Sequence, residues 1–600
     1  MSPSSARTDA LDSTDTLLLT AVLAGAAGWL VLWAGAAITA IVSGSPVPGV
    51  DLAAGVRVLA QDRGNPSVAW GQPVGPAWLY WTCTASVLVA LMAAVATVWW
   101  VWARTRTSRD RDPGRLDGLA LRAEVAKVAG AKALIRRAGD LRPSLAHPRV
   151  GDLGHRLGRA RGVDCYVSVE DSMVLLGPPR SGKGVHVVIN AILDAPGAVI
   201  TTSTRPDNLT AALTARAKVG PVAVFDPQGL APGIPSATRW SPIRGCENPQ
   251  TAMIRAKALT SGAASGTTDS SFWQSSAEAA VRALLHAAAL GGRSPADLYR
   301  WSLSAAWARE AVMILSSHPE AAPSWDQGLE AIVGADQKQR DSVWAMVAIA
   351  FASLADPAVL DAVSPGPGEQ FDPQVFLAQR GTVFLVGTST GASATAGLVG
   401  AFVEDVAEAA RRLAAASPGA RIDPPLSMIL DEAANYPLPS LTSLMSEGGG
   451  TGITTMVVLQ SLAQARAVWG EHEASAIWDA ASVKVILGGG SNARDLEDLS
   501  KLIGATQEQQ VTTSTGADGR RSTSMSVHQV PVMDTSRLRM LPFGTAVLML
   551  RAARPIVLTM TAWTRRPEAA ELARSRRRLE EAIERAHTAP HQPPAALGRR

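Results

Sequence analysis

Gly177, Pro178, Pro179, Arg180, Ser181, Gly182, Lys183 and Gly184 form a run whose residue types suit the binding of phosphate groups. An apolar stretch, Met173 to Leu176, precedes the run, and another, Val185 to Leu193, follows it. Strand, loop and helix in that order are the setting a phosphate-binding loop needs. Such a loop wraps backbone N–H groups around phosphate oxygens, which excludes bulk at the turn. Gly177 and Gly182 give that freedom. The helix that begins near Val185 points its positive end at the phosphates. Lys183 adds a mobile cation for the outer ones. Gly184 stands where a Ser or Thr usually offers a hydroxyl to magnesium. The pattern is therefore incomplete at its last position, and taken alone it also suits a plain Gly-rich turn.

The other half of the site lies far along the chain. Pro424 to Leu430 is an apolar strand that ends in two adjacent carboxylates, Asp431 and Glu432. In a parallel sheet, ligands gather at the carboxyl ends of strands. Asp431 would hold magnesium directly or through water. Glu432 would polarise the water that attacks the terminal phosphate. Such a pair without Lys183 is more often a solvated loop start; with it, the chemistry is nucleoside triphosphate hydrolysis. Gln460, at the tip of the strand Thr454 to Leu459, is suited to sense the terminal phosphate, the rival role being a cap for the next helix. The cofactors expected are ATP and Mg2+.

The elements that must position these residues occupy a chain of 600 residues, long enough for several domains. The 56 Lys and Arg against 52 Asp and Glu give a formal charge of only +4, but the sequence pI of 9.1 is basic, a weak pointer to an acidic partner, since many basic proteins bind no nucleic acid. The three cysteines, Cys83, Cys165 and Cys246, have neither metal-binding nor disulfide spacing, which fits a reducing compartment. Leu17 to Val42 carries no charge, and Pro76 to Trp102 is a second such stretch; each is long enough to cross a bilayer. A cleaved signal peptide would be shorter, with a basic lead. Trp29, Trp33, Trp78, Trp81, Trp99, Trp100 and Trp102 lie in these stretches, the last three where an interfacial belt would form. Arg104, Arg106, Arg109 and Arg111 follow the second. Between the two, Arg57 and Arg63 are balanced by Asp51 and Asp62. The positive-inside rule puts both the N-terminus and the large remainder in the cytoplasm, with 44–75 outside.

The remainder divides by texture. Residues 112–165 read as a helical neck. Residues 166–247 alternate strands, including Gly197 to Thr202 and Pro221 to Phe225, with helices, the first part of a parallel α/β domain. Residues 248–367 are alanine-rich and amphipathic, an all-α insertion, with Phe272 and Trp273 read as packing residues. Residues 368–565 resume the sheet with Gly381 to Gly387, the helix Ala394 to Ala415 and the Asp431 strand. Then come a turn at Gly448 to Gly452, Val483 to Leu487 before Gly488 to Gly490, and a closing hairpin of Thr545 to Leu550 with Pro555 to Thr559. Thr512 to Val527 reads as a mobile loop. Residues 566–600 are a charged helix and a Pro-rich disordered tail.

With these residues in hand, the chain resembles the TraG/TraD-type coupling proteins of type IV secretion. Gly177 to Gly184 is similar to that family's phosphate loop, which commonly has Gly after the lysine. Leu430-Asp-Glu-Ala-Ala-Asn435 resembles its Walker B segment, with Ala433 in place of an aromatic residue. Gly452 through Gln464 resembles its glutamine motif; Arg239 to Arg244 and Phe272-Trp273 resemble weaker signatures. The resemblance implies a RecA-like P-loop NTPase domain with an inserted all-α domain, preceded by two transmembrane helices, and a homo-hexameric ring at the inner face of the membrane. It implies partners as well: single-stranded DNA bound without sequence preference, relaxase or relaxosome proteins, and channel components of type IV secretion. A neighbouring subunit would donate an arginine to the terminal phosphate, for which Arg494 is a candidate. The competing readings are a nucleotide-regulated docking receptor that does not pump DNA, and a chromosome-segregation translocase of the FtsK kind. The second usually has more spans and a DNA-reading C-terminal domain.

Overall fold

The computed structural model describes residues 13–111, 113–261, 270–388, 395–515 and 521–588. They fall into two units, Met1–Asp112 and Pro113–Arg600.

In the first unit, the helices Ser13–Val42 and Ala77–Arg111 contain the spans Thr20–Val42 and Ala77–Trp100, each with mean hydropathy 1.9, long and apolar enough to cross a membrane. The segment between them is folded. Asp51 caps the helix Leu52–Ala60 by accepting from Ala53 N (2.9 Å) and pairs with Arg57 (2.6 Å). The charge balance of this segment thus includes a direct ion pair. Three tryptophans tie the long helices to it. Trp29, Trp33 and Trp81 donate their indole N–H groups to the carbonyls of Asp51, Pro48 and Arg63. Leu32, Ala36, Val58, Trp70 and Tyr80 form the small core. Trp99 and Trp100 are exposed, as a lipid-facing belt requires. Residues 1–12 and the Pro-rich end, 589–600, lie outside the described residues.

The second unit is built on a sheet. Its strands are β1 (Gly154–Ala160), β2 (Val163–Ser168), β3 (Met173–Leu176), β4 (Val199–Ser203), β5 (Val222–Phe225), β6 (Thr382–Val386), β7 (Leu426–Leu430), β8 (Ile453–Leu459) and β9 (Val483–Leu487). After a separate hairpin of β10 (Ala505–Thr515) and β11 (Arg521–Pro531) come β12 (Thr545–Leu550) and β13 (Ile556–Met560). The sheet order is β2-β1-β13-β12-β9-β3-β8-β7-β4-β6-β5. From β9 to β5 all neighbours are parallel, and the four strands at the other end pair antiparallel. The parallel strands are largely apolar because helices cover both faces, and every residue of β3, β4 and β6 is buried, the Thr and Ser of β4 included. The expected β12–β13 hairpin forms, but it lies inside the sheet, between β9 and β1, rather than at its edge.

Three readings of the sequence need correction. The 112–165 segment is helical only in its first part and then becomes β1 and the start of β2. β1 is rich in Gly and Arg and carries a register shift between Arg156 and Gly158, so it lacks a clean alternation. The Gly448 turn is the last turn of the helix Leu441–Thr451. Gly448 and Gly449 are there because a Cβ would collide with Ile453 O and Glu170 O, and Gly452 (φ +80°) ends the helix. The arms of the 512–527 loop are strands β10 and β11, paired from Ala505 with Pro531 to Thr515 with Arg521; its tip, 516–520, lies outside the described residues.

Between β5 and β6 the described chain is helical from Pro249 to Ala362, apart from turns. Trp240 fastens this insertion to the sheet. It is fully buried and donates its indole N–H to Asp405 (2.9 Å), on the helix Ala396–Ala415. Arg255 lies over the indole ring and pairs with Asp405 at 2.8 Å. Trp273 packs against the core, whereas Phe272 is exposed and only touches Trp273 edge-on, so it is not a core residue. The start of the helix expected at Ala394 lies outside the described residues; the helix is described from Ala396.

Arg216 is buried beneath β4 and β6 and donates to Thr382 Oγ1 (2.8 Å), Ala195 O (2.7 Å) and Gly197 O (2.7 Å). Burial pulls its pKa down to about 10. Arg216→Met leaves those acceptors without a donor. It is expected to lower stability by about 3 kcal/mol, read from chemical denaturation followed by tryptophan fluorescence. A loss below about 1 kcal/mol would mean that water replaces the guanidinium.

Candidate functional site

β3, β8, β7 and β4 lie side by side and parallel, so their carboxyl ends share one edge. The phosphate loop leaves β3, Gln460 follows β8, Asp431 and Glu432 follow β7, and Thr204 follows β4. The register holds them level: Leu176 is opposite Leu459, and Leu430 lies between Val457 and Thr202.

The loop needs its glycines for contact as well as for backbone freedom. A Cβ on Gly177 would be 2.9 Å from Leu487 Cδ1. Gly182 has φ +88°, and a Cβ there would meet His186 Nδ1 at 2.7 Å and Phe543 Cε2 at 2.8 Å. Arg180 also has positive φ (64°). His186 Nδ1 lies 3.1 Å from Gly182 O; a carbonyl only accepts, so Nδ1 carries the proton. Gly184 to Val188, with Val185 inside, form a widened first helical turn. At Gly184 a Cβ would meet nothing within 4 Å, so packing does not exclude a hydroxyl there.

Lys183 faces both carboxylates. Its Nζ is 3.8 Å from Asp431 Oδ1 and 3.7 Å from Glu432 Oε1. The Asp431 side chain is 11% exposed and that of Glu432 22%, so Glu432 is the one more open to water. Burial pushes the Asp431 carboxyl above its ordinary pKa, although Lys183 acts against the shift. Asn208 donates to Asp431 Oδ2 (3.4 Å) and Thr202 to Asp431 O (3.0 Å). Glu432 sits in the left-handed region at φ 53°. Its Oε2 accepts from Thr204 Oγ1 (2.6 Å) and Asn435 Nδ2 (3.1 Å), which leaves Oε1 toward Lys183. Tyr436 points its hydroxyl at the carbonyl oxygens of Ser203 and Gly387, tying this turn to the ends of β4 and β6.

Lys183 Nζ, Asp431 Oδ1 and Ser181 Oγ are buried and make no hydrogen bond. A cation and a donor on the loop, and an acceptor on the turn that faces it, suit a triphosphate and a divalent ion. Among the described residues no group of three or more His, Cys, Asp or Glu converges as a metal site. A metal beside Asp431 would therefore take its other oxygens from phosphate and water, the habit of magnesium.

Gln460 lines a cavity of about 420 Å³ together with Pro178, Pro179, Asn492 and Asp495. Ser461 caps the following helix, and Gln464 accepts from Gln460 N (3.2 Å), so the Gln460 side chain is not the cap. Arg494 is exposed and paired with Glu471 (2.9 Å), outside the Lys183 cluster. Sequence reasoning missed Thr204, Asn208, Asn435 and His186. Asn435 was within sight, three residues after Glu432.

Residues 425–543 match the family described as the TraM recognition site of TraD and TraG. Among solved structures, the bacterial conjugative coupling protein TrwBdeltaN70, unbound monoclinic form, superposes with TM-score 0.53 at 17% identity, over 72% of this chain and 92% of that one. Its trigonal form in complex with sulphate gives 0.51 at 16%, over 73% and 95%. The plasmid coupling protein TrwB in complex with ADP and Mg2+ gives 0.50 at 16%, over 73% and 95%. Comparison with curated protein sequences finds no match. The fold is that of these coupling-protein structures, an α/β sheet with a parallel centre and an inserted helical region. The resemblance to TraG/TraD-type coupling proteins is borne out, with the family match running through Asp431, Glu432 and Gln460.

Proposed function

We propose that this chain is a membrane-anchored ATPase that couples a DNA–relaxase or effector substrate to a type IV secretion channel and drives DNA transfer in conjugation. The observation that carries the reading is Lys183 facing Asp431 and Glu432 at the shared strand ends, inside a chain whose 425–543 segment matches the TraD and TraG family. The TrwB complex with ADP and Mg2+ supports nucleotide and magnesium as ligands of the same fold.

In this reading Gly177 to Val185 hold the phosphates through backbone N–H groups, and Lys183 neutralises the outer ones. Asp431 holds magnesium directly or through water. Bound there, the ion would withdraw charge from the phosphate oxygens. Glu432 orients and polarises the attacking water with the oxygen that Thr204 and Asn435 leave open. Gln460 senses the terminal phosphate from the neighbouring strand. The two apolar helices anchor the chain in the cytoplasmic membrane, with N-terminus and ATPase domain in the cytoplasm. Six copies form a ring that holds single-stranded DNA without reading its sequence. The 425–543 segment receives relaxosome proteins.

The test is ATP hydrolysis by the full chain in detergent or lipid discs, with and without single-stranded DNA, beside Lys183→Ala. The expected result is turnover that DNA accelerates and that vanishes in the variant. Lys183-dependent turnover indifferent to DNA would instead favour a docking receptor.

A further inference from the structure

Phe543 is an aromatic ring in an unusual place. Of the eight phenylalanines, six are buried and only Phe272 and Phe543 are exposed; Phe543 is 70% exposed. It does not hang on a free loop. Gly489 N donates to Arg539 O (2.9 Å), Thr545 N to Pro542 O (2.9 Å) and Met560 N to Gly544 O (2.7 Å). Gly488 lets this segment come close, since a Cβ there would collide with Leu541 O. The Gly488 to Gly490 turn after β9 is thus a seat for the segment before β12. The seat sets the Phe543 ring edge-on to His186, with centroids 4.9 Å apart, and against Gly182 of the phosphate loop. One edge of the ring is fixed by these contacts, while most of its surface stays open to solvent.

We propose that Phe543 is the base-stacking residue of the nucleotide site. The inference rests on the nucleotide-binding reading of the phosphate loop. A rigid aromatic ring beside a phosphate loop offers a π-face to the far end of a ligand whose phosphates lie on that loop. Phe carries no polar atom, so it stacks on a base without reading its edge. Adenine and guanine nucleotides would gain alike.

The test compares three ligands on the full chain by calorimetry: ATP, GTP and inorganic tripolyphosphate, which has no base. Phe543→Ala is expected to weaken ATP and GTP by a similar factor, about 10- to 100-fold, and to leave tripolyphosphate within about twofold. Phe543→Trp is expected to restore nucleotide affinity. Equal loss of all three ligands overturns the proposal, because the ring would then only shape the loop at Gly182. Unchanged ATP affinity with altered oligomer size also overturns it, because the ring would then pack on another copy. Should the unaltered chain bind none of the three, and Lys183→Ala behave the same, the phosphate-loop reading itself fails and takes the proposal with it.

Discussion

Glu432→Gln is expected to lower ATP hydrolysis by about 10²- to 10⁴-fold while leaving ATP affinity nearly unchanged. Gln has the shape of Glu and keeps one carbonyl oxygen. That oxygen can accept from Thr204 and Asn435 as Glu432 Oε2 does. The turn at φ 53° is then held as before. What disappears is the basic oxygen, Oε1, now 3.7 Å from Lys183. In the proposed reading nucleotide binding resides in the loop and Lys183, and the substitution takes away only one of the two carboxylates that face this lysine, Asp431 remaining at 3.8 Å. Single-turnover hydrolysis beside calorimetric binding separates the two effects. Hydrolysis within tenfold of the unaltered chain would remove Glu432 from the water-activating role.

Asp431→Asn is expected to do two opposite things. Hydrolysis should fall by about 10²-fold or more, since a neutral amide holds magnesium poorly. The fold should become more stable at neutral pH. Burial raises the Asp431 pKa above the ordinary 3.8. The native carboxyl therefore keeps its proton more tightly than the unfolded one. Ionised at neutral pH, it subtracts stability. That penalty is absent below the unfolded pKa and grows as pH rises through the folded pKa. Asn stays neutral throughout. Thermal melting without nucleotide or metal should thus show the variant above the unaltered chain at pH 7, with the gap closing toward pH 4. A variant that melts lower across the whole range would mean that the contact with Lys183 outweighs the burial penalty. Stability given up at one buried carboxylate is a common signature of a working site.

Both residues could be read from sequence because their chemistry depends on type and spacing along a short run. Lys183 follows a glycine-rich turn, and Asp431 and Glu432 end an apolar strand. The buried parallel strands were legible for a similar reason: β3 is wholly apolar, β6 is apolar after Thr382, and β9 is apolar but for Lys484. The β10–β11 hairpin was not. It is rich in Ser, Thr and Gln, and Met525 and Val527 are exposed, so no apolar–polar alternation marks it as strand. The groups that orient the carboxylates were hidden by distance. Thr204 meets Glu432 across 228 positions, and only the sheet order brings them together. Phe543 was hidden in the same way, since its contact with Gly182 exists only once the antiparallel end of the sheet is in place.

On its inner side β1 pairs with β13, the last strand of the larger unit. A ribosome delivers these two partners first and last. The parallel centre can gather beforehand, but β12 must arrive before β9 loses its open edge, and β13 before β1 does. Contacts of such long range are slow to form, and an uncovered strand edge invites mispairing meanwhile. The segment that seats Phe543 on the phosphate loop emerges in that same late stretch. The apolar N-terminal helices and the phosphate loop are made long before it, so in the proposed reading the base-stacking ring is the part of the site that the growing chain acquires last.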